Sequence, residues 1–329
     1  MREPLPLIFD IHRFALDDGP GIRTTVFLKG CPLSCVWCHN PESMRNAPEM
    51  AFHSDRCILC GSCKDACPEA AITKSPEPQI DRSRCTACGR CADSCPTSAL
   101  RMTGSEYPLD ELLEIIRRDR HFFDASGGGV TFSGGEPTLW MDYLGAALSA
   151  LKSENVHTAI QTCGKFDYPR FSQKILPCTD LIMFDIKFIA ATEHKRYTGQ
   201  DNASILENFR CLTRDVGSRV LPRVPLVPEI TATPDNLLEI ASFLADLGYR
   251  HCDLLPYNPA GLEKRQAIGM RLPPHLPTLP HEPGKEDELR KLFRERLIPK
   301  SIHVDTEKAV GGPSPHRRAS SDEAVRGVR

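Results

Sequence analysis

Most cysteines of this chain lie in three tight clusters that have two different spacings. Of the 15 cysteines in 329 residues, eleven fall between residues 31 and 95. The first cluster is a C-x3-C-x2-C run formed by Cys31, Cys35 and Cys38. A four-iron cluster normally takes four cysteine thiolates. Three thiolates would leave one iron with an open position, where a small molecule can bind and react.

The other two clusters repeat the pattern C-x2-C-x2-C-x3-C-P, which is typical of bacterial ferredoxins. In that pattern the fourth cysteine of each run binds the other [4Fe-4S] cluster. The predicted ligand sets are Cys57, Cys60, Cys63 and Cys95 for one cluster, and Cys67, Cys85, Cys88 and Cys91 for the second. Four thiolates close a cluster, so these two are predicted only to carry electrons. Structural zinc is the alternative, because paired cysteines also form zinc sites, but two runs that end in Cys-Pro favour iron.

The remaining composition bounds the class of protein. The beginning of the chain, MREPLPLIFDIHRF, is predicted to be a strand rather than a signal peptide. A cysteine-rich chain without an export signal favours metal ligation in a reducing compartment. The longest apolar stretch, residues 181–191, is too short for a membrane span, and the net charge of -2 gives no sign of a nucleic-acid surface. We therefore expect a soluble, cytoplasmic, oxygen-sensitive protein with no nucleic-acid or membrane partner.

Apolar runs of strand length alternate with helical patterns, which predicts an α/β fold of βα units around a parallel sheet. The predicted strands are residues 7–13, 24–29, 130–133, 157–162, 181–187, 220–227 and 252–257. The predicted helices are residues 110–119, 141–153, 203–216 and 235–247, the last with Thr233 as N-cap and Pro234 at its first position.

The domain boundaries follow from changes in composition. The ferredoxin-like segment, residues 51–102, interrupts the βα series and is interpreted as an insertion into a domain made of residues 1–50 and 103–306. Residues 273–284 are predicted to be a proline-rich loop. From residue 307 the composition turns to Gly, Pro, Ser and Arg, which predicts a disordered tail at residues 307–329.

A glycine-rich segment, Val130-Thr-Phe-Ser-Gly-Gly-Glu-Pro, supplies a second motif. It lacks the Gly-Lys-Ser/Thr end of a phosphate-binding loop, and Ser133 lacks the flanking pattern of a hydrolase nucleophile. Gly134 and Gly135 instead follow a predicted strand, at the end where barrels of βα units bind ligands. A missing side chain lets a ligand lie against the backbone, so we predict a ligand site here.

Together, these motifs resemble those of the radical S-adenosylmethionine (SAM) superfamily. The three-cysteine run with Trp37 before its last cysteine is the superfamily signature. Three further segments narrow the resemblance to the glycyl radical enzyme activating enzymes, namely Asp17-Asp-Gly-Pro-Gly-Ile-Arg-Thr-Thr-Val-Phe-Leu-Lys-Gly, His39-Asn-Pro-Glu and Phe132-Ser-Gly-Gly-Glu-Pro. The two-cluster insert resembles that of the larger subgroup, unlike the short pyruvate formate-lyase activase. The match covers residues 7–305.

The resemblance implies an incomplete (β/α)6 TIM-like barrel with an inserted ferredoxin-like domain that holds two [4Fe-4S] clusters. It implies three [4Fe-4S] clusters in all, with SAM as the further cofactor. One electron cleaves SAM to methionine and a 5′-deoxyadenosyl radical, which takes a hydrogen from one glycine of a partner, a glycyl radical enzyme. The resemblance also implies a flavodoxin or ferredoxin as electron donor.

The resemblance further implies which residues act. Cys31, Cys35 and Cys38 would hold the catalytic cluster. The residues predicted to bind SAM are Trp37, Gly134, Gly135, Glu136, Gln161, Asp185, Ile186, Lys187, Arg223 and Asn258. In this set the backbone carbonyls of residues 134–136 are expected to meet the ammonium group, and Arg223 the carboxylate. For Asp185 and Lys187, which share one face of a strand, a salt bridge at the barrel rim is the alternative.

Two of these positions depart from the short activases. Gln161 and Asn258 are amides where those enzymes have an aspartate and a histidine, so we do not expect a monovalent cation near the cofactor. Gln161 is still able to hydrogen-bond a ribose. The remaining thiols, Cys163, Cys178, Cys211 and Cys252, are interpreted as structural.

Two other functional classes stay open at this point. One is a radical SAM enzyme that acts on a small molecule or peptide, with the insert in an auxiliary redox step. The other is a plain electron-transfer protein. The DGPGIRT and CHNPES segments favour an activase over the first alternative, and the βα series argues against the second. The sequence does not identify the glycyl radical enzyme or its substrate.

Overall fold

The structure is a computed structural model that describes residues 5–74, 78–274, 276–282 and 284–298. The predicted disordered tail, residues 307–329, lies outside these ranges. The strands within them are β1 (Leu7–Ala15), β2 (Arg23–Leu28), β3 (Glu49–Phe52), β4 (Ile72–Lys74), β5 (Pro78–Ile80), β6 (Leu100–Thr103), β7 (Ser105–Glu106), β8 (Gly129–Gly134), β9 (His157–Thr162), β10 (Leu181–Asp185), β11 (Val220–Leu226) and β12 (Asp253–Pro256).

Eight strands form one sheet in the order β12-β11-β10-β9-β8-β2-β1-β7. The strands from β12 to β2 in this order pair in parallel, which confirms the predicted parallel sheet. At one edge, β1 and then β7 add to the sheet in antiparallel orientation. Because parallel strands run in one direction, the carboxyl ends of six strands meet at one edge of the sheet.

The helices of the same ranges are α1 (Ser62–Asp65), α2 (Arg90–Asp93), α3 (Leu109–Arg117), α4 (Arg120–Ser126), α5 (Met141–Ser153), α6 (Tyr168–Lys174), α7 (Ala191–Thr198), α8 (Ala203–Val216), α9 (Pro234–Asp246), α10 (Gly261–Ala267) and α11 (Lys285–Leu297). The predicted start of α9 is confirmed, because the Thr233 hydroxyl accepts a hydrogen bond from the backbone N-H of Asn236 at 3.4 Å. In the described part of the chain, no helix is both long and apolar enough to cross a membrane.

The main core lies between the sheet and the helices. The central strands contribute side chains that are fully buried, such as Val26, Phe132, Ile160 and Phe184. Helix α5 meets them with Leu144, Leu148 and Leu151 among others, at the three- and four-residue spacing of one helix face. This packing holds the strands rigidly, so the polar residues at their carboxyl ends have fixed positions.

The cysteine-rich segment, residues 51–102, contains its own small elements. Strand β3 pairs with β6 and β4 pairs with β5, both antiparallel. A second, smaller core combines Met50, Ile72 and Leu100 with five cysteines of the segment, namely Cys63, Cys67, Cys85, Cys91 and Cys95. Arg82 joins it to the rest of the chain, because its guanidinium donates to the backbone oxygens of Met50 and, at 3.2 Å, Ala267 of α10.

Candidate active site

A cavity of about 680 Å³ lies at the carboxyl ends of the parallel strands. Its volume is in the range of cavities that enclose a cofactor-sized ligand. Nearly every predicted SAM-binding residue lines it, together with the three cysteines that follow β2; the lining includes Cys31, Cys35, Trp37, Cys38, Gly134, Gly135, Gln161, Asp185, Lys187, Arg223 and Asn258. Glu136 and Ile186 are the two predicted residues that are not part of this lining.

The three-cysteine loop, residues 31–38, is fastened by backbone hydrogen bonds to the end of α7. The N-H groups of Ser34 and Val36 donate to the carbonyls of Thr198 and Tyr197 at 2.8 and 3.0 Å. Burial raises the pKa of Cys35 to about 12 and that of Cys38 to about 11. Neutral thiols are therefore favoured until a metal centre displaces their protons. The donor set fits an iron cluster, since thiolates are its usual ligands.

Trp37 projects from the same loop and is nine-tenths buried. Its ring centroid lies 6.2 Å from that of Phe188 and 6.4 Å from that of Tyr197. These neighbours fix the indole at the wall of the cavity. A flat apolar surface in this position suits an aromatic ligand ring.

The two glycines after β8 are required by the protein backbone itself. Gly134 has a φ of +111°, and a Cβ there would lie 2.2 Å from the carbonyl oxygen of Leu28. A Cβ on Gly135 would lie 2.1 Å from the carbonyl oxygen of Gly30. The turn packs directly on the segment that leads into the three-cysteine loop, so close backbone packing accounts for both glycines, while both still line the cavity.

Glu136 fixes this turn rather than facing the cavity with its side chain. The fully buried carboxylate accepts hydrogen bonds from the Thr138 hydroxyl at 2.7 Å, the Thr162 hydroxyl at 2.9 Å and the backbone N-H of Cys163 at 2.7 Å. It therefore ties the Gly-Gly turn of β8 to the end of β9. Ile186 is likewise buried, and its N-H donates to the carbonyl of Arg223 at 2.8 Å.

A charged group occupies the ends of β10 and β11. Arg223 donates from Nε and Nη2 to Oδ1 of Asp185 at 3.0 and 2.8 Å, and Nζ of Lys187 lies 3.5 Å from Oδ2. Burial opposes ionisation of Asp185, but the two cations outweigh it and hold its pKa below the ordinary value. The salt bridge considered from the sequence is thus present, and its members also line the cavity.

Gln161 is held on both sides of its amide. Its Nε2 donates to Oδ1 of Asp18 at 2.7 Å, and its Oε1 accepts from the Ser133 hydroxyl at 2.6 Å. The other carboxylate oxygen of Asp18 accepts from the hydroxyl of Thr25 at 2.8 Å. Sequence reasoning did not assign Asp18 to the site. The only signal was its place in the DDGPGIRT segment, which carried the resemblance but no role for this residue.

The four remaining thiols occupy three kinds of position. Cys163, predicted to be structural, is buried in the cavity wall, and a hydrogen bond with Cys31 together with burial raises its pKa. Cys178 and Cys252 pack against the main core, and Cys211 donates to Glu207 on the surface of α8 at 3.7 Å.

The predicted ligand Asn258 lines the cavity, although its Oδ1 already accepts from the N-H of Ala260 at 3.0 Å.

The eight cysteines of the cysteine-rich segment surround two small cavities. One is lined by Cys57, Cys60, Cys63 and Cys95, and the other by Cys67, Cys85, Cys88 and Cys91. Each cavity thus combines three cysteines of one run with the fourth cysteine of the other. Among the residues that the structure describes, no group of three or more Cys, His, Asp or Glu is arranged to hold a single metal ion.

Comparison with known proteins bears on the identity of this site. A family model described as a 4Fe-4S single cluster domain matches residues 17–206. The trans-4-hydroxy-L-proline dehydratase activating enzyme of Clostridioides difficile is 39% identical over 292 residues, which are 88% of this chain and 96% of that protein. The isethionate sulfite-lyase activating enzyme of Desulfovibrio desulfuricans is 38% identical over 274 residues, which are 81% of this chain and 88% of that protein.

Solved structures resemble the fold at much lower identity. The structure of a radical SAM methyltransferase from Sphaerobacter thermophilus covers 90% of this chain and 76% of its own, with a TM-score of 0.50 and 15% identity. This likeness concerns the fold alone. The family assignment therefore depends on the activating enzymes, whose similarity spans nearly the whole chain.

Proposed function

Because the chain belongs to the radical SAM family of glycyl radical enzyme activating enzymes, we propose that its 680 Å³ cavity binds SAM beside a [4Fe-4S] cluster held by Cys31, Cys35 and Cys38. The observation that carries this proposal is the convergence of the three-cysteine loop, the Gly-Gly turn and the strand-end charges on one cavity. When bound, the cluster supplies an electron and one open iron for reductive cleavage of SAM. The 5′-deoxyadenosyl radical released by this cleavage removes a hydrogen from a glycine of the partner enzyme.

The residues of the chain position and shield the reactants. Glu136 holds the Gly-Gly turn, whose carbonyls we assign to the SAM ammonium group. Arg223, oriented by Asp185, is assigned to the SAM carboxylate. Trp37 is assigned to the adenine. Gln161, with its amide fixed by Asp18 and Ser133, is assigned to the ribose.

Lys187 is assigned an electrostatic role in the cavity. Burial alone would lower its pKa, but attraction to Asp185 outweighs this and raises it. Lys187 therefore keeps its positive charge within the site. That charge offsets part of the negative charge that three thiolates bring into a buried cavity.

We further propose that the sheet curves into an incomplete barrel whose open side admits the partner's glycine. This proposal is supported by a second cavity of about 420 Å³ beside the first. The two cavities share Asp17, Asp18, His39, Asn40 and Gln161, and the second extends along strand β1. A segment of the partner that lies in the second cavity would reach the first without crossing the core.

The cysteine-rich segment is proposed to be a ferredoxin-like domain with two closed [4Fe-4S] clusters, which makes three clusters in the chain. The support is the exchange of the fourth cysteine between the two cavities. A zinc ion would instead draw four sulfurs to about 2.3 Å from one centre. Such clusters would pass electrons from a flavodoxin or ferredoxin donor. Cys60 and Cys88 are exposed, so each cluster has an edge near solvent.

The proposed partner is a glycyl radical enzyme, and the relatives do not determine which substrate that enzyme acts on. Those named above activate a dehydratase of trans-4-hydroxy-L-proline and a sulfite-lyase of isethionate. These two partner enzymes act on unrelated substrates. The similarity of their activases to this chain therefore supports the activation step. It does not identify the reaction that the partner of this chain catalyses.

The proposal is tested by anaerobic SAM cleavage. With reconstituted protein and dithionite, we expect 5′-deoxyadenosine and methionine in equal amounts. Cys35→Ser removes one of three cluster ligands, so it should abolish the formation of 5′-deoxyadenosine. Cys211→Ser, on the outer face of α8, is the matched control and should keep the wild-type yield. Similar yields from both variants would contradict the proposed site.

A further inference from the structure

Helix α10 packs directly on the three-cysteine loop. A Cβ added to Gly261, its first residue, would lie 2.4 Å from the carbonyl oxygen of Cys38. One turn later, Nζ of Lys264 donates to Oδ1 of Asn40 at 2.8 Å. The helix is therefore held against the loop by close backbone contact and by a polar contact beyond it.

Arg265, the next residue of α10, is directed into this contact. Its side chain is only 4% exposed. Nη2 donates to the carbonyl oxygen of Cys35 at 2.8 Å. Nε is enclosed and has no hydrogen-bond partner among the residues that the structure describes. A buried donor without an acceptor is costly, so its presence indicates an acceptor that the polypeptide does not supply.

The charge of Arg265 leads to the same conclusion. Its buried guanidinium contacts the backbone of Cys35, and its helix packs on the carbonyl oxygen of Cys38. Both cysteines are predicted cluster ligands. An arginine stays protonated even when buried, and an isolated buried cation is strongly unfavourable unless an anion compensates it. The contact with Cys35 places the compensating anion on the side of the three cysteines.

A [4Fe-4S] cluster with three thiolates meets this requirement. Its iron-sulfur core carries a charge of about +2 when oxidised and about +1 when reduced, so the cluster with its thiolates is an anion in both states and more negative after reduction. A fixed positive charge nearby stabilises the reduced state more than the oxidised state. Hydrogen bonds to cluster sulfurs act in the same direction.

We propose that Arg265 is a positioning residue that pairs with the cluster at Cys31, Cys35 and Cys38 and raises the reduction potential of that cluster. This inference rests on the proposed function, because it needs the cluster to be bound there. Arg265 touches neither SAM nor the partner in this account. It makes the electron transfer that precedes SAM cleavage more favourable.

The test is a redox titration of the reconstituted full chain, followed by electron paramagnetic resonance. The signal that changes when SAM is added identifies the cluster at the three cysteines among the three clusters. At the wild-type midpoint potential, Arg265→Gln and Arg265→Met should lower the ratio of reduced to oxidised cluster by about tenfold, equivalent to about 59 mV. Arg265→Lys keeps the charge and should stay within about threefold of wild type. Arg210→Gln, which removes an exposed arginine on α8, is the control and should leave the ratio unchanged.

The possible outcomes separate this inference from the proposed function. Absence of a SAM-dependent signal in the unmutated protein would contradict the proposed function itself. A neutral variant that loads the cluster and keeps the wild-type potential would overturn the role of Arg265. If neither neutral variant loads iron, a loaded Arg265→Lys with wild-type potential still supports the role of the charge. Failure of Arg265→Lys to load, or a tenfold drop in it, would overturn that role.

Discussion

Two polar side chains, Glu136 after β8 and Gln161 in β9, act at the cavity through separate sets of hydrogen bonds. Glu136 joins the Gly-Gly turn to β9, and Gln161 is held by Asp18 from the segment between β1 and β2. The family resemblance of the sequence placed Glu136 and Gln161 at the site. It assigned no role to Asp18, because hydrogen bonds between residues 143 positions apart depend on the fold.

The buried carboxylate of Glu136 gives the first prediction. In Glu136→Gln, the amide nitrogen would face the N-H of Cys163 or a threonine hydroxyl, which leaves a buried donor unpaired at a cost of about 1–3 kcal/mol. We expect SAM binding to weaken by about tenfold while iron content is unchanged, measured by equilibrium binding to the reconstituted protein. Glu154→Gln, which alters a surface ion pair with Arg117, is the control. Unchanged affinity in Glu136→Gln would show that the turn needs no such support.

Gln161 gives the second prediction. We expect cleavage of SAM to depend little on sodium or potassium, because the carboxylate of Asp18 beside Gln161 is already satisfied by the amide and by Thr25. Gln161→Glu would place a second carboxylate within hydrogen-bond distance of Asp18. This repulsion should either introduce cation dependence or weaken SAM binding by about tenfold.

The measurement for Gln161 is SAM affinity in several chloride salts at constant ionic strength. Gln161→Asn, which is shorter but neutral, is the matched control for loss of the hydrogen bond. Strong, cation-specific stimulation of the unmutated protein would show that Asp18 itself forms a cation site. The neutral character assigned to this part of the pocket would then be wrong.

At the level of helices and strands, the sequence predicted the elements whose apolar residues recur with a clear period. It did not predict elements that are very short or mostly charged. The bounds of α5, α8 and β9 agree with their predictions, because each has a clear apolar period. Helix α10 has seven residues, too few for a period, and α11 is mostly charged around Leu289, Phe293 and Leu297. Strand β7 has two residues and exists only through its pairing with β1.

The cysteine-rich segment gives a prediction at this scale. Cys60 and Cys88 line different cavities, so Cys60→Ser with Cys88→Ser should impair both proposed clusters. If the segment relays electrons, this double variant should keep SAM cleavage driven by dithionite but lose most cleavage driven by a reduced flavodoxin or ferredoxin. Cys178→Ser with Cys211→Ser is the matched control. Equal losses with both reductants would mean that the segment mainly stabilises the fold, since metal binding and folding are coupled.

Across the whole molecule, the series of βα units predicted the parallel sheet and the edge at which the site lies. It did not predict that β1 runs antiparallel to β2, because the sequence pattern of a strand carries no information on direction. The position of Arg265 beside Cys35 was also beyond prediction. The two residues are 230 positions apart and meet only because α10 returns to the loop after β2.

Metal content tests the organisation of the whole chain. We predict about 12 irons and about 12 sulfides per chain after anaerobic reconstitution, because eleven cysteines fit three [4Fe-4S] clusters. Cys35→Ser should retain about eight irons, in the cysteine-rich segment. Iron and acid-labile sulfide assays decide this. Zinc in place of iron would contradict the ferredoxin-like assignment, and about four irons would confine clusters to the three-cysteine site.

The central claim, removal of hydrogen from a protein glycine, is tested most directly by isotope transfer. The partner for this test would be a large chain with a carboxyl-terminal glycyl radical loop, sought among the products of neighbouring genes and prepared with α-deuterated glycine. After anaerobic incubation with SAM and reductant, we predict deuterium in the 5′-deoxyadenosine and a glycyl radical signal on the partner. A 5′-deoxyadenosine yield that is independent of the partner, without deuterium and without a radical signal, would contradict this account and favour a small-molecule or peptide substrate.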